Sequence, residues 1–105
     1  MSDISVEELA RRGGVDADLT IVDIREPWEI EICSLPEAQL IPLRAITADP
    51  SLIPRDREVV LVCHAGGRSD QLATFLTARG YDRVRSLRGG LDEWAINIDP
   101  SMARY

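Results

Sequence analysis

Residues 59–69 read V-V-L-V-C-H-A-G-G-R-S, and this stretch decides the fold. Val59, Val60, Leu61 and Val62 form an apolar β-favouring run without alternation, the pattern of a strand buried on both faces of a parallel sheet. Cys63 follows directly. Gly66 and Gly67 permit backbone turns closed to most residues, and Arg68-Ser69 opens a helical pattern. That pattern predicts a helix over 69–79 with Leu72, Phe75 and Leu76 facing inward and Gly80 as its cap. A strand, a tight glycine loop and a helix start aim several backbone N–H groups at the Cys63 sulfur. Helix-terminal N–H groups and a nearby guanidinium both favour a thiolate over a thiol. The segment therefore reads as a nucleophile or an anion cradle.

Helix and strand signals alternate on both sides of this segment, which points to an α/β fold with a parallel sheet covered by helices. Ser5 with Glu8 makes a capping box for a short helix closed by Gly13-Gly14. Leu19 to Ile24 is the first predicted strand. Glu26-Pro27-Trp28-Glu29 starts a helix with Pro27 in its first turn, and Pro36 stops it. Gln39 to Ile41 reads as a short strand, Pro42 to Ala48 as a helical turn and Asp49 to Asp56 as a surface loop. Asp82 to Leu87 is the last predicted strand. Gly89-Gly90 is a turn, Leu91 to Ile96 a final helix, and the tail I-D-P-S-M-A-R-Y a polar surface segment.

A chain of 105 residues suits one compact domain, taken as residues 1–105. No apolar run reaches membrane-spanning length, and the acidic start M-S-D-I-S-V-E-E-L does not resemble a secretory signal; a cytoplasmic protein is expected. A formal charge of −6 argues against nucleic acid as a partner. All twelve basic residues are arginine, which removes lysine Schiff-base chemistry and leaves arginine to bind anions. Cys33 and Cys63 in such a compartment are expected as free thiols, and a single histidine without Cys-x-x-Cys argues against zinc.

Cys63 to Arg68 spells C-x-x-G-x-R, and loop length separates two chemistries. Loops of this kind form a bowl of N–H donors around an anion. The cysteine phosphatases need C-x5-R, which would place arginine at position 69, where this chain has Ser69. The shorter loop is a smaller bowl, better matched to a sulfur atom carried on the cysteine than to phosphate.

Here the chain resembles the rhodanese family of sulfurtransferases over nearly its whole length. I-V-D-I-R-E-P-W-E, C-H-A-G-G-R-S, the helix ending A-R-G-Y, and L-R-G-G-L-D-E-W carry the resemblance in the family's order. It implies a five-stranded parallel sheet with helices on both faces. It also implies a ping-pong reaction without cofactor or metal, in which a donor such as thiosulfate passes its outer sulfur to Cys63. The persulfide then gives that sulfur to a thiophilic acceptor, cyanide in assays. Members that prefer thiosulfate often carry cations just after the cysteine, where this chain has His64 and Ala65. A protein persulfide is accordingly expected as the physiological donor. The tail from Trp94 to Tyr105, with Glu31 to Pro36, resembles rhodanese domains fused to adenylyltransferases that activate sulfur-carrier proteins, so such a carrier or another thiol is the expected acceptor.

The expected site is Cys63 as nucleophile, cradled by His64, Ala65, Gly66, Gly67, Arg68 and Ser69. Arg68 is read as a buried brace for the loop, because an arginine at a helix start opposes the dipole. Asp23, Arg25 and Glu29 are read as an ion-pair network at a strand end, with Arg25 facing the loop and offering electrostatic help. Cys33 is read as a small apolar helix residue rather than a resolving thiol, and Trp28 and Trp94 as packing anchors or an apolar docking rim. Arg85 and Arg88, placed after the last strand, are candidates to steer an anionic donor, with solvated surface charge an equal reading. The competing classes are a noncatalytic interaction domain of the same fold and a small cysteine phosphatase or arsenate reductase.

Overall fold

The computed structural model describes residues 3–12 and 18–105, so the proposed Gly13-Gly14 helix end lies outside the described residues. Five strands form one parallel sheet: β1 Asp3–Ile4, β2 Leu19–Asp23, β3 Gln39–Leu40, β4 Glu58–Val62 and β5 Val84–Leu87, in the order β1-β5-β4-β2-β3. The helices are α1 Val6–Arg12, α2 Pro27–Ile32, α3 Leu43–Ala48, α4 Gly67–Thr77 and α5 Gly90–Asn97. None of the described helices is long and apolar enough to cross a membrane.

The central strand β4 explains the layering. Val59 and Leu61 project into one apolar cluster with Ile46 of α3 and Leu72, Ala73 and Leu76 of α4. Val60 and Val62 project into the other, with Val6 and Leu9 of α1 and Leu91 of α5. Side chains alternate across a strand, so an unbroken valine-rich run fills both layers at once. Cys63 continues the Val59–Leu61 side and belongs to the first cluster. The strands β2 and β4 pair with Asp23 level with Val62, and Ile24 N–H donates to the Val62 carbonyl at 3.0 Å. The chain segments leaving both strands therefore emerge side by side at the carboxyl edge, where open parallel sheets place their sites.

Four differences from the sequence reading have physical causes. The strand β1 was not anticipated, because two residues are too few to show alternation; it is fixed by pairing Asp3 with Ser86 and Ile4 with Leu87. The helix α2 ends at Ile32, well before Pro36. The buried Arg25 guanidinium takes the carbonyls of Glu29 (3.3 Å) and Cys33 (2.6 Å), satisfying the end of the helix from the side. Cys33 is thus the extended residue after the helix, not a helix residue. The 49–56 loop contains a 3-10 turn, Pro50–Leu52, where Asp49 Oδ1 accepts from Ser51 N–H.

Candidate active site

The loop from Cys63 to Gly66 is held by two sets of backbone bonds running in opposite directions. On its outer side, the carbonyls of Cys63 and His64 accept from the N–H groups of Leu91 (3.0 Å) and Asp92 (2.9 Å) in the first turn of α5. Peptide groups are planar and trans, so the N–H groups of His64 and Ala65 are turned away from α5. On the inner side, the Cys63 sulfur accepts from Gly66 N–H at 3.2 Å and Ser69 N–H at 3.4 Å. Both glycine positions are demanded by this geometry. Gly66 has φ +102°, a left-handed conformation. Gly90 has φ +60°, and a Cβ there would lie 2.5 Å from the carbonyl oxygens of both Cys63 and His64.

Beneath the sulfur lies a buried hydroxyl pair. Ser69 Oγ is 3.4 Å from Cys63 Sγ, donates to the Gly66 carbonyl at 3.2 Å and shares a 2.7 Å hydrogen bond with Ser86 Oγ of β5. Cys63 is 1% exposed.

The other wall is built from charged side chains. Glu29 of α2, only 3% exposed, receives both Arg68 nitrogens (2.7 and 2.8 Å), the Tyr105 hydroxyl (2.8 Å) and Glu26 N–H (2.9 Å). Chiefly through the Arg68 hydrogen bonds, its carboxyl is held down to about 2 against the opposing effect of burial. Arg68 is raised above its ordinary value, chiefly by its hydrogen bonds to the Glu29 carboxylate and against the opposing effect of burial. Arg25 is fully buried: Nε and NH2 clasp Asp23 (2.9 and 2.7 Å) and NH1 donates to the Tyr105 hydroxyl (3.0 Å). Burial works against its charge, but Asp23 and Tyr105 outweigh it and hold the guanidinium above its usual range. Burial pushes the Tyr105 phenol up, against the bond it accepts from Arg25.

Several sequence expectations are redrawn by these contacts. Arg68 braces no loop carbonyl; it is bound to the carboxylate of Glu29, reaching from a helix start to an acid that neutralises it. The expected Asp23–Arg25–Glu29 network is two separate pairs, Asp23 with Arg25 and Glu29 with Arg68, joined through Tyr105. Arg25 meets Glu29 only at its backbone carbonyl and faces the segment around Cys33, whose sulfur lies 3.8 Å from NH1. Arg85 sits within β5, not after it, and is engaged by Glu58, Glu8 and the Asp3 carbonyl; Arg88 pairs with Asp3. Trp94 packs against the α1/α5 cluster as an anchor does, whereas Trp28 is 61% exposed and belongs to the rim.

Sequence reasoning missed Ser86, Gly90 as a close-approach residue, and Tyr105. Only Gly90 left a signal, in the Gly-Gly pair ahead of an amphipathic helix. The tail does more than lie on the surface: Tyr105 stacks on the His64 ring with centroids 3.9 Å apart.

Residues 5–97 match the family described as "Rhodanese-like domain". The chain is 41% identical over 103 residues to a sulfurtransferase of Allochromatium vinosum, covering 98% of this chain and 96% of that protein. It is 35% identical over 89 residues to the probable adenylyltransferase/sulfurtransferase MoeZ of Mycobacterium tuberculosis, covering 83% of this chain but 23% of that longer protein. A rhodanese-like domain protein from Staphylococcus aureus superposes with a TM-score of 0.81 at 28% identity, covering 100% of this chain and 99% of that one. With its parallel sheet, its short Cys63–Gly66 loop between β4 and α4 and these likenesses, the chain belongs to the rhodanese family of sulfurtransferases.

Proposed function

We propose that the chain accepts sulfane sulfur on Cys63 as a persulfide and passes it to a thiophilic acceptor, with residues 1–105 acting as a single domain. The observation that carries this reading is the sulfur itself, which already accepts from two backbone N–H groups, that of Gly66 in the loop and that of Ser69 in the first turn of α4. Those donors stabilise a thiolate without a general base. The Cys63 thiolate attacks the outer sulfur of a donor R–S–S⁻; the new S–S bond forms as the old one breaks, and R–S⁻ leaves. With thiosulfate the leaving group is sulfite. The terminal sulfur of the persulfide keeps the negative charge, and we assign its stabilisation to the His64 and Ala65 N–H groups, which the bonds to α5 leave pointing away from that helix. Attack by an acceptor such as cyanide, or the thiolate of an acceptor protein, returns Cys63 to its starting state.

For the donor we favour a protein persulfide, with thiosulfate serving in assays. His64 and Ala65 supply no fixed cation at the loop, and Arg68 is neutralised by Glu29. For the acceptor we favour a thiol or a sulfur-carrier protein, in line with the adenylyltransferase fused to the MoeZ relative. A cytoplasmic setting, where thiols stay reduced, suits the cycle.

Intact-protein mass spectrometry after incubation with thiosulfate tests the reading. A gain of one sulfur, reversed by dithiothreitol and absent in Cys63→Ala, is expected, and the variant should melt as the wild type does. Sulfur transfer surviving in Cys63→Ala, or an aryl-phosphatase activity without any sulfur adduct, sinks it.

A further inference from the structure

The ring of Tyr105 spans the loop that carries Cys63. One face lies on the imidazole of His64, with planes 13° apart, and the hydroxyl is bonded to Glu29, which grips Arg68. His64 follows Cys63 in the loop and Arg68 lies in the first turn of α4, so the ring is stacked at one end of this segment and linked through Glu29 to the other. The edge of Trp28 meets Tyr105 at 5.9 Å. The strap that delivers the ring is tethered along its length: Ile98 and Met102 pack on the α1/α5 cluster, and Arg104 makes a two-pronged pair with Asp92 (2.8 and 3.2 Å). Below, the Cys63 sulfur is almost wholly removed from solvent. A donor can reach it only after a neighbouring group moves, and Tyr105, stacked on the residue next to Cys63, is held by side-chain contacts with His64, Glu29, Arg25 and Trp28.

We propose that Tyr105 is a specificity-determining residue, a displaceable cover that holds off the small dianion thiosulfate and yields to sulfane sulfur carried as a persulfide on a larger thiol. The proposal rests on the sulfurtransferase reading above and names its donor class. Displacing the ring breaks two hydrogen bonds and a stack, and an incoming molecule must offset that loss. Thiosulfate finds little to bind, because the partly exposed guanidinium beside the loop, Arg68, is already paired with Glu29, and Arg25 is wholly buried on Asp23. A larger thiol meets apolar surface on the same side: the exposed Trp28, and a hollow of about 240 Å³ lined by Arg25, Pro27, Ile30, Leu40 and Pro42. Its contacts there replace those that Tyr105 gives up.

The test uses the full chain with Tyr105→Ala and Tyr105→Phe. Two rates are read: alkylation of Cys63 by iodoacetamide, mapped by peptide mass spectrometry, and kcat/KM with thiosulfate and with glutathione persulfide, cyanide being the acceptor. In Tyr105→Ala, alkylation and thiosulfate kcat/KM should each rise roughly a hundredfold, the equivalent of about two hydrogen bonds and a stack, with a smaller change for glutathione persulfide. Tyr105→Phe keeps the stack and should fall between. Unchanged alkylation in both variants, or equal gains with both donors, overturns the proposal. Alkylation needs no sulfur transfer. Accelerated alkylation in a protein that transfers no sulfur would overturn the functional reading and the donor assignment, while leaving Tyr105 as a cover.

Discussion

The two walls around the Cys63 loop are built on opposite principles. The α5 wall is main chain against main chain: two carbonyls on two N–H groups, with Gly90 keeping the backbones at contact distance. The α2 wall is side chain against side chain, a chain of contacts from Arg25 through Tyr105 and Glu29 to Arg68. The first wall has no titratable group in its bonds and no freedom to rearrange. The second is held by a carboxylate, two guanidinium groups and a phenol, so it contains titratable groups and, on the cover proposal, opens without breaking main-chain bonds. Fixed geometry for the proposed nucleophile on one side and the proposed adjustable access on the other are roles that mutations can separate.

The largest effect should come from the main-chain wall. Gly90→Ala places a methyl group against two carbonyl oxygens and forces a left-handed conformation on an L-residue, at a cost of about 3 kcal/mol. Sulfur transfer should vanish and the melting temperature fall; a variant with normal turnover would show that the contact with α5 does not shape the loop. Glu29→Gln attacks the other wall and should cost roughly 2 kcal/mol, less than a fully buried pair because Arg68 is partly exposed. The folded-state carboxyl is depressed to about 2, so its stabilisation is complete above the ordinary carboxylate range and drains away as pH falls from there toward 2. Wild-type melting temperature should therefore drop in that window, and the glutamine variant should show a flatter acid limb. Equal slopes for the two proteins would remove Glu29 from the wall's electrostatics. The smallest effect is expected at the floor where the walls meet. Ser86→Ala removes one hydrogen bond to Ser69, so Cys63 alkylation at neutral pH should change by about threefold with a stability loss of about 1 kcal/mol. An unchanged alkylation rate would leave Ser86 a packing residue.

The same contrast explains what could be read from the chain alone. The main-chain wall is written locally: a valine-rich run, glycines at a loop and at a helix start, and a loop length that can be counted. The α2 wall is made by pairs far apart in sequence, with Tyr105 76 positions from Glu29 and 80 from Arg25. No spacing rule points from a tyrosine in a polar tail to a buried glutamate. Arg68 was recognisable as a cation near the sulfur, but its partner lies 39 residues away, so its neutralisation was not legible. β1 escaped for another reason: two residues carry no period, and its existence depends on the partner strand.

The position of β4 has a consequence for how the molecule comes apart. It is paired along its length by β2 and β5, whereas β1 and β3 are two-residue strands at the rims. Amide exchange should begin at those rims and reach Val60 to Cys63 last, in the largest cooperative opening. The Cys63 sulfur should thus be attached to the slowest-exchanging part of the protein, so that partial fraying leaves it in register and heat inactivation coincides with global unfolding.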